Sequence, residues 1–191
     1  MEWEVSIKEQ IKTLEYAYEN MDKKQVEDAL KMLLECNGIR FFTGIGKNGH
    51  VAAKIASTFS SFGLRSIYIH PVDAVHGDMA LFSKGDILVA ISKSGSTDEL
   101  MVFLHALKQI NFNNIIGIHS KPESPLDKIS RLGLYIPVVS EADHLGIAPV
   151  ASSLAYMSIL QSFAVAISSQ NGFTKKDFVR THPGGALGKL M

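Results

Sequence analysis

The chain has no excess of either charge: nineteen lysines and arginines stand against nineteen aspartates and glutamates. That balance removes the electrostatic case for nucleic acid or an anionic membrane surface as a partner. Cysteine is almost absent. With Cys36 alone no internal disulfide can form, which fits a reducing compartment such as the cytoplasm. The first residues, MEWEVSIKEQIK, carry acids and no apolar core, so they do not read as a secretion signal. Linkers, internal repeats and low-complexity tracts are lacking. Metal-ligand spacing is lacking as well: Asp143 and His144 are adjacent, but no second pair stands where it could complete a site. No metal or cofactor is expected. Residues 145–173 are without a charged side chain for long enough to suggest a membrane span. Pro149, Gln161, Gln170 and a series of serines load that stretch with polar groups, and the expectation is a helix buried in the core or at a subunit contact.

What is present is a core. At 191 residues and 46% hydrophobic content the chain is one ordinary globular domain or slightly more. Ile7, Ile11, Leu14, Tyr18 and Met21 recur at helical spacing, as do Val26, Leu30, Leu33 and Leu34, predicting two packing helices near 3–20 and 23–35. Apolar, β-branched runs at 39–43, 66–70, 87–91, 114–119 and 134–139 alternate with helical segments. Continuous runs of this kind mean a parallel sheet covered on both faces, wound with right-handed crossovers. The fold class predicted is α/β, a doubly wound three-layer sandwich with five parallel strands. The division expected within a single domain is N-terminal helices over 1–37, an α/β core over 38–140, and C-terminal helices and tail over 141–191. Ligands in such sheets sit at the carboxyl ends of the strands.

Two loops leave such ends. LVAISKSGSTDE runs from the third strand through Ser92, Lys93, Ser94, Gly95, Ser96 and Thr97 into a helix from about Asp98. Hydroxyls and free N–H groups at a helix start form a phosphate cradle, and serine and threonine can also simply cap the helix. Gly44, Gly46 and Gly49 follow the first strand with dinucleotide-fingerprint spacing. That fingerprint also needs an acid at the end of the second strand, which here reads His70-Pro71 with Asp73 only inside the next loop, and it leaves no reason for Lys47 inside the turn. The favoured reading is a second lobe of one sugar-phosphate pocket, with Lys47 aimed at the ligand; a plain tight turn is the other. Titratable groups then accumulate in Glu99, Glu141, His76 and His182, each of which taken alone reads as a helix-dipole carboxylate, a loop acid or a structural imidazole.

Taken together, GIGKNGH at 44–50, HPVDAVHGDM at 70–79, ISKSGSTDEL at 91–100, EADHLGIAP at 141–149 and GFTKKDFVRTHPGGALGKL at 172–190 resemble the sugar isomerase (SIS) domain family. More narrowly they resemble the isomerase domain of D-arabinose 5-phosphate isomerases; the sequence stops at Met191, where many relatives continue into paired CBS domains, as either a naturally short form or a truncated one. The resemblance implies interconversion of D-ribulose 5-phosphate and D-arabinose 5-phosphate without cofactor, feeding the eight-carbon acid Kdo of lipopolysaccharide or capsule. It implies that Ser92, Ser94 and Thr97 hold the phosphate with Ser96, Lys93, Asn48 and Gly46 nearby. Lys47, Glu99, Glu141 and His182 would be the catalytic set, His76 would lie close to the sugar, and a cytoplasmic homotetramer would form in which His182 of one subunit serves a neighbour. The chain departs from the family where Lys93 and Ser96 replace the usual amide and acid, and where Asn48 replaces a hydroxyl.

Aldose–ketose isomerisation moves a proton between C1 and C2 through an enediol. A carboxylate in a dry pocket has a raised pKa and becomes a better base, a part assigned here to Glu141. Lys47 would stabilise the enediolate oxygen, Glu99 and His182 would carry hydroxyl protons, and His182 or His76 would assist ring opening. Two other readings compete: an isomerase of a hexulose or heptose phosphate, and a sugar-phosphate sensor without catalysis. A sensor that regulates transcription needs a basic DNA-reading module, and residues 1–38 carry more acids than bases.

Overall fold

A computed structural model of the chain describes residues 2–184; residues 185–191, the end of the C-terminal motif, lie outside the described residues. Five parallel strands, β1 (Arg40–Gly44), β2 (Ser66–Tyr68), β3 (Ile87–Ile91), β4 (Ile115–His119) and β5 (Leu132–Tyr135), form one sheet in the order β2-β1-β3-β4-β5. Strand periodicity sorts their side chains. Phe42, Val89, Ile91, Ile116 and Ile118 pack with α1 (Glu2–Asn20), α2 (Lys23–Leu34), α3 (Lys47–Ser61) and α7 (Ala151–Gln170). Phe41, Leu88, Ala90 and Ile115 pack with α4 (Pro71–Ala74), α5 (Asp98–Gln109) and α6 (Pro125–Ile129) on the opposite face. Every residue of β1, β3 and β4 is buried; β3 is apolar throughout, whereas β1 also buries Arg40 and Thr43 and β4 ends on His119. The expected sandwich is therefore present, and its 2-1-3-4-5 order sends the chain away from β1 on one side and back to β3 on the other. That reversal opens a crevice at the carboxyl ends of β1 and β3.

Three local expectations are corrected. β5 ends at Tyr135 rather than near 139, because Pro137 has no N–H to continue the ladder; the last rung is Ile136 N–H to the His119 carbonyl, 2.8 Å. The loop expected over 71–78 contains α4, started by Pro71 at its first turn, and a 3-10 turn at Asp78–Leu81. A turn at 122–123 leads into α6, capped by Ser124, whose Oγ accepts from Asp127 N–H. The largest correction concerns α1. Its apolar stripe was expected to pack inward, yet Ile7 and Ile11 are about half exposed and Tyr18 is 78% exposed, while Thr13 and Ala17 face α7. The stretch that could have been taken for a membrane span is α7, long and apolar enough to cross a bilayer by length and composition. It buries Tyr156, Leu160, Ala164 and Ile167 against the sheet and packs on α1, α2 and α3.

One buried imidazole makes stability depend on pH. His119 ends β4 with 1% exposure, and its Nε2 lies 3.4 Å from Asp127 Oδ1, outside good hydrogen-bond geometry. Burial holds its pKa below the usual imidazole range, with Asp127 opposing only in part. The unfolded chain takes a proton on this residue near pH 6.5 while the folded chain does not, so stability falls as pH drops below that point. Urea unfolding of the parent at pH 7.5 and pH 5.0 is expected to give a lower midpoint in acid, and His119→Asn is expected to narrow that gap.

Candidate functional site

α3 begins three residues after β1 ends, and its N-cap is Gly46, at φ 58°, so no side chain satisfies the first N–H groups of the helix. Gly44 and Gly49 serve close packing: a Cβ on Gly49 would stand 2.8 Å from the Gly44 carbonyl oxygen. The acid that a dinucleotide reader needs at the end of β2 is not there, since Asp73 lies in α4, 3.6 Å from His70 Nδ1. Lys47 opens α3 with its side chain exposed, and Asn48 beside it holds a buried Oδ1 with no hydrogen-bond partner.

The neighbouring turn is built differently. Ser92, 2% exposed, is a strut: its Oγ accepts from Gly95 N–H at 3.1 Å and pairs with Thr97 Oγ1 at 2.9 Å. Thr97 is the N-cap of α5, but its hydroxyl is turned into the loop and does not cap the helix. Plain capping by Thr97, the alternative reading of this loop, is therefore not what its hydroxyl does. Ser94 and Ser96 are exposed, and Ser94 Oγ accepts from both the N–H and the hydroxyl of Ser96. Gly95, at φ 63°, rests on Ser124, and its carbonyl accepts from Leu126 N–H at 2.8 Å. Sequence reasoning missed Ser124; the Ser-Pro pair at 124–125, a cap followed by proline at the first helical position, was the available signal. The result is two helix starts, α3 and α5, at adjacent strand ends and neither capped by a side chain. Aligned N–H dipoles of this kind attract an anion.

Glu141 closes the arrangement from the far side. Its side chain is fully buried; Oε1 accepts from Lys93 Nζ at 2.6 Å, and Oε2 accepts from the N–H groups of Ala151 and Ser152 that open α7. So α7 is capped by a carboxylate ten residues upstream, whereas α3 and α5 are open. Burial alone pushes the Glu141 carboxyl up, but hydrogen bonds from Lys93 and Ser152 outweigh it and hold the group below the usual carboxylate range. The raised pKa expected of a base in a dry pocket is thus reversed by these contacts. Lys93 points to Glu141 rather than lying free over the loop. Asp143 is also committed, accepting from Leu145, Ile147 and Ala148 N–H. Among the described residues no group of three His, Cys, Asp or Glu is placed to hold a metal ion.

Three expected site residues stand apart from this pair. Glu99 is exposed in the first turn of α5 and His76 is exposed after α4, and among the described residues neither side chain makes a polar contact with the two loops. His182 is carried away altogether. Its ring stacks on Phe178 at 4.0 Å and Nδ1 donates to the Phe178 carbonyl at 2.7 Å. Phe178 in turn lies 6.1 Å from Phe62, the C-cap of α3, while Lys47 opens that same helix. Fifteen helical residues separate the two ends by about 22 Å. His182 therefore does not meet Lys47 or Glu141 of its own chain.

With this geometry in place, comparison with known proteins is specific. Residues 32–166 match the model of the SIS domain. The arabinose 5-phosphate isomerase KdsD of Pseudomonas aeruginosa is 40% identical over 163 residues, 85% of this chain and 50% of that protein. KdsD of Francisella tularensis is 38% identical over 185 residues, 95% of this chain and 56% of that one. The chain thus spans about half the length of the curated relatives it matches. Among solved structures, the c3406 protein of E. coli CFT073, in complex with arabinose 5-phosphate, superposes with a TM-score of 0.89 at 35% identity, covering 94% of this chain and 95% of that one.

Proposed function

The chain belongs to the SIS domain family, and on that premise we propose that it interconverts D-ribulose 5-phosphate and D-arabinose 5-phosphate through an enediol. The observation that carries the reading is the pair of uncapped helix starts, α3 and α5, at the β1/β3 switch point. A phosphate held there by Ser94, Ser96, Thr97 and the loop N–H groups fixes where the sugar carbons lie, the positioning part of the rate gain. Lys47, at the head of α3, supplies charge to the enediolate oxygen. The orphaned Asn48 Oδ1 accepts from a sugar hydroxyl. Glu141 exchanges the proton between C1 and C2, and Glu99 serves the hydroxyls. This needs no redox cofactor, since the two electrons stay within the substrate as C–H and C=O exchange places.

His182 enters this reading only from a second copy of the chain, because its own fold holds it at the other end of α3. The exposed stripe of Ile7, Ile11 and Tyr18 on α1 supports such an assembly, an apolar face of a kind that protein contacts cover. The family's homotetramer is the form expected, working in the cytoplasm upstream of an eight-carbon sugar acid of lipopolysaccharide or capsule. Incubation of the purified protein with D-ribulose 5-phosphate, followed by NMR with and without EDTA, tests the proposal. Arabinose 5-phosphate is expected in both samples. Binding without turnover favours a sensor, and turnover of a hexulose or heptose phosphate alone favours another isomerase of this fold.

A further inference from the structure

Glu141 and Lys93 present a conflict. The proposed base is fully buried, and its two oxygens already accept from one ammonium and two backbone N–H groups. A carboxylate so satisfied is a weak base. Yet its partner is not locked in. Lys93 is 40% exposed, sits on a flexible four-carbon stem, and occupies the middle of the very loop that carries Ser92, Ser94 and Thr97. A phosphate seated on that loop brings as many as two negative charges next to the same ammonium.

We propose that Lys93 is a positioning residue shared between two anions: it holds Glu141 while the loop is empty and turns to the phosphate when the loop is filled, so that substrate binding itself makes Glu141 a base. The inference rests on the isomerase reading and deepens it. Removing one partner of a buried ion pair leaves an uncompensated charge, a state that favours taking up a proton. Here the proton is the one leaving the substrate carbon. No atom is gained or lost: the C–H bond breaks, the carboxylate takes the proton, and the same proton returns at the neighbouring carbon. Energy of the remote phosphate contact is thereby converted into proton affinity at the reacting end. The other groups near Glu141 do not replace Lys93. Asp143 and His144 share its segment, Glu2 and Glu9 of α1 line the same groove of about 440 Å³, and Tyr156 lies one turn further along α7. Among these His144 is the only potential cation, and it is exposed.

The test uses the full chain labelled with ¹³C at glutamate side-chain carboxyls, the Glu141 signal assigned by its loss in Glu141→Gln. Its pKa is read with and without a pentitol 5-phosphate, which has no carbonyl and cannot turn over, while the Ser94 amide reports occupancy of the loop. In the parent the ligand is expected to raise the Glu141 pKa by about one unit or more. In Lys93→Gln it is expected to be high from the start and to rise far less on binding. Three results would overturn the proposal. If the Ser94 amide shifts and Glu141 does not, Lys93 stays on its carboxylate and only the coupling fails. An equal rise in parent and Lys93→Gln would reduce the effect to plain repulsion by the ligand. If the Ser94 amide never shifts, the phosphate-loop reading fails and the coupling with it. If Lys93→Gln does not fold, the Lys93 Nζ signal of the parent decides instead: it is expected to move on binding together with Glu141, and a rise at Glu141 with Lys93 Nζ unmoved would overturn the proposal.

Discussion

Gly95→Ala is expected to lose at least 100-fold in kcat/KM for the pentose phosphates and to destabilise the fold by about 2–3 kcal/mol. Two effects combine. At φ 63° an alanine enters the left-handed region, at about 1–2 kcal/mol. Its Cβ would also collide with Ser124, through both Oγ and Cβ. Ser124 is buried and caps α6, so it can retreat only by giving up the Asp127 N–H, a loss of about 1 kcal/mol. The loop that does not retreat lifts instead, carrying Ser94 and Ser96 off the phosphate position; a misplacement of about 1 Å is enough to cost two orders of magnitude. Urea denaturation and initial rates check the two parts separately. A Gly95→Ala/Ser124→Gly double variant removes the steric part and is expected to regain activity while keeping the backbone strain.

Glu141→Gln is expected to lower kcat by about 10²–10⁴-fold, equivalent to about 3–5 kcal/mol of barrier. The accompanying loss of stability is smaller, about 1–2 kcal/mol, because a neutral amide still fits the opening of α7 but no longer complements its dipole. Lys93, being 40% exposed, finds water when its partner is neutralised. The barrier effect is therefore larger than the folding effect, and a folded, inactive protein is the expected result. Exchange of solvent deuterium into the substrate carbon separates the candidates: exchange at the parent rate in Glu141→Gln removes Glu141 as the base and leaves Glu99, the exposed carboxylate of α5, in that part.

How far the sequence reached follows from which signals are local. Short apolar runs that end in glycine or polar turns and alternate with helical segments read as buried parallel strands, so β1, β3 and β4 were legible almost to the residue. The α1 stripe shows the limit of periodicity: Ile7, Ile11 and Tyr18 mark an apolar face, but spacing does not tell a face covered by the chain itself from one left open. The two glycine- and serine-bearing turns were visible as anion loops because their chemistry is consecutive in sequence. The Lys93–Glu141 pair was not, because its partners are 48 residues apart and come from the ends of different strands. Glu141 was singled out, but its pKa direction was inverted, since burial was legible and the ammonium facing it was not. The C-terminal motif placed His182 in the catalytic set, whereas the register of α8 (Lys175–Thr181) stacks it on Phe178, which packs toward Phe62, a matter of helix packing rather than of motif.

A crystal structure of the protein soaked with D-ribulose 5-phosphate tests the central claim most directly. The phosphate is expected between the starts of α3 and α5, within hydrogen-bond distance of Ser94 and Thr97, with the sugar carbons running toward Lys47 and Glu141. A phosphate bound anywhere else, with the 92–97 loop unoccupied at saturating ligand, would contradict it.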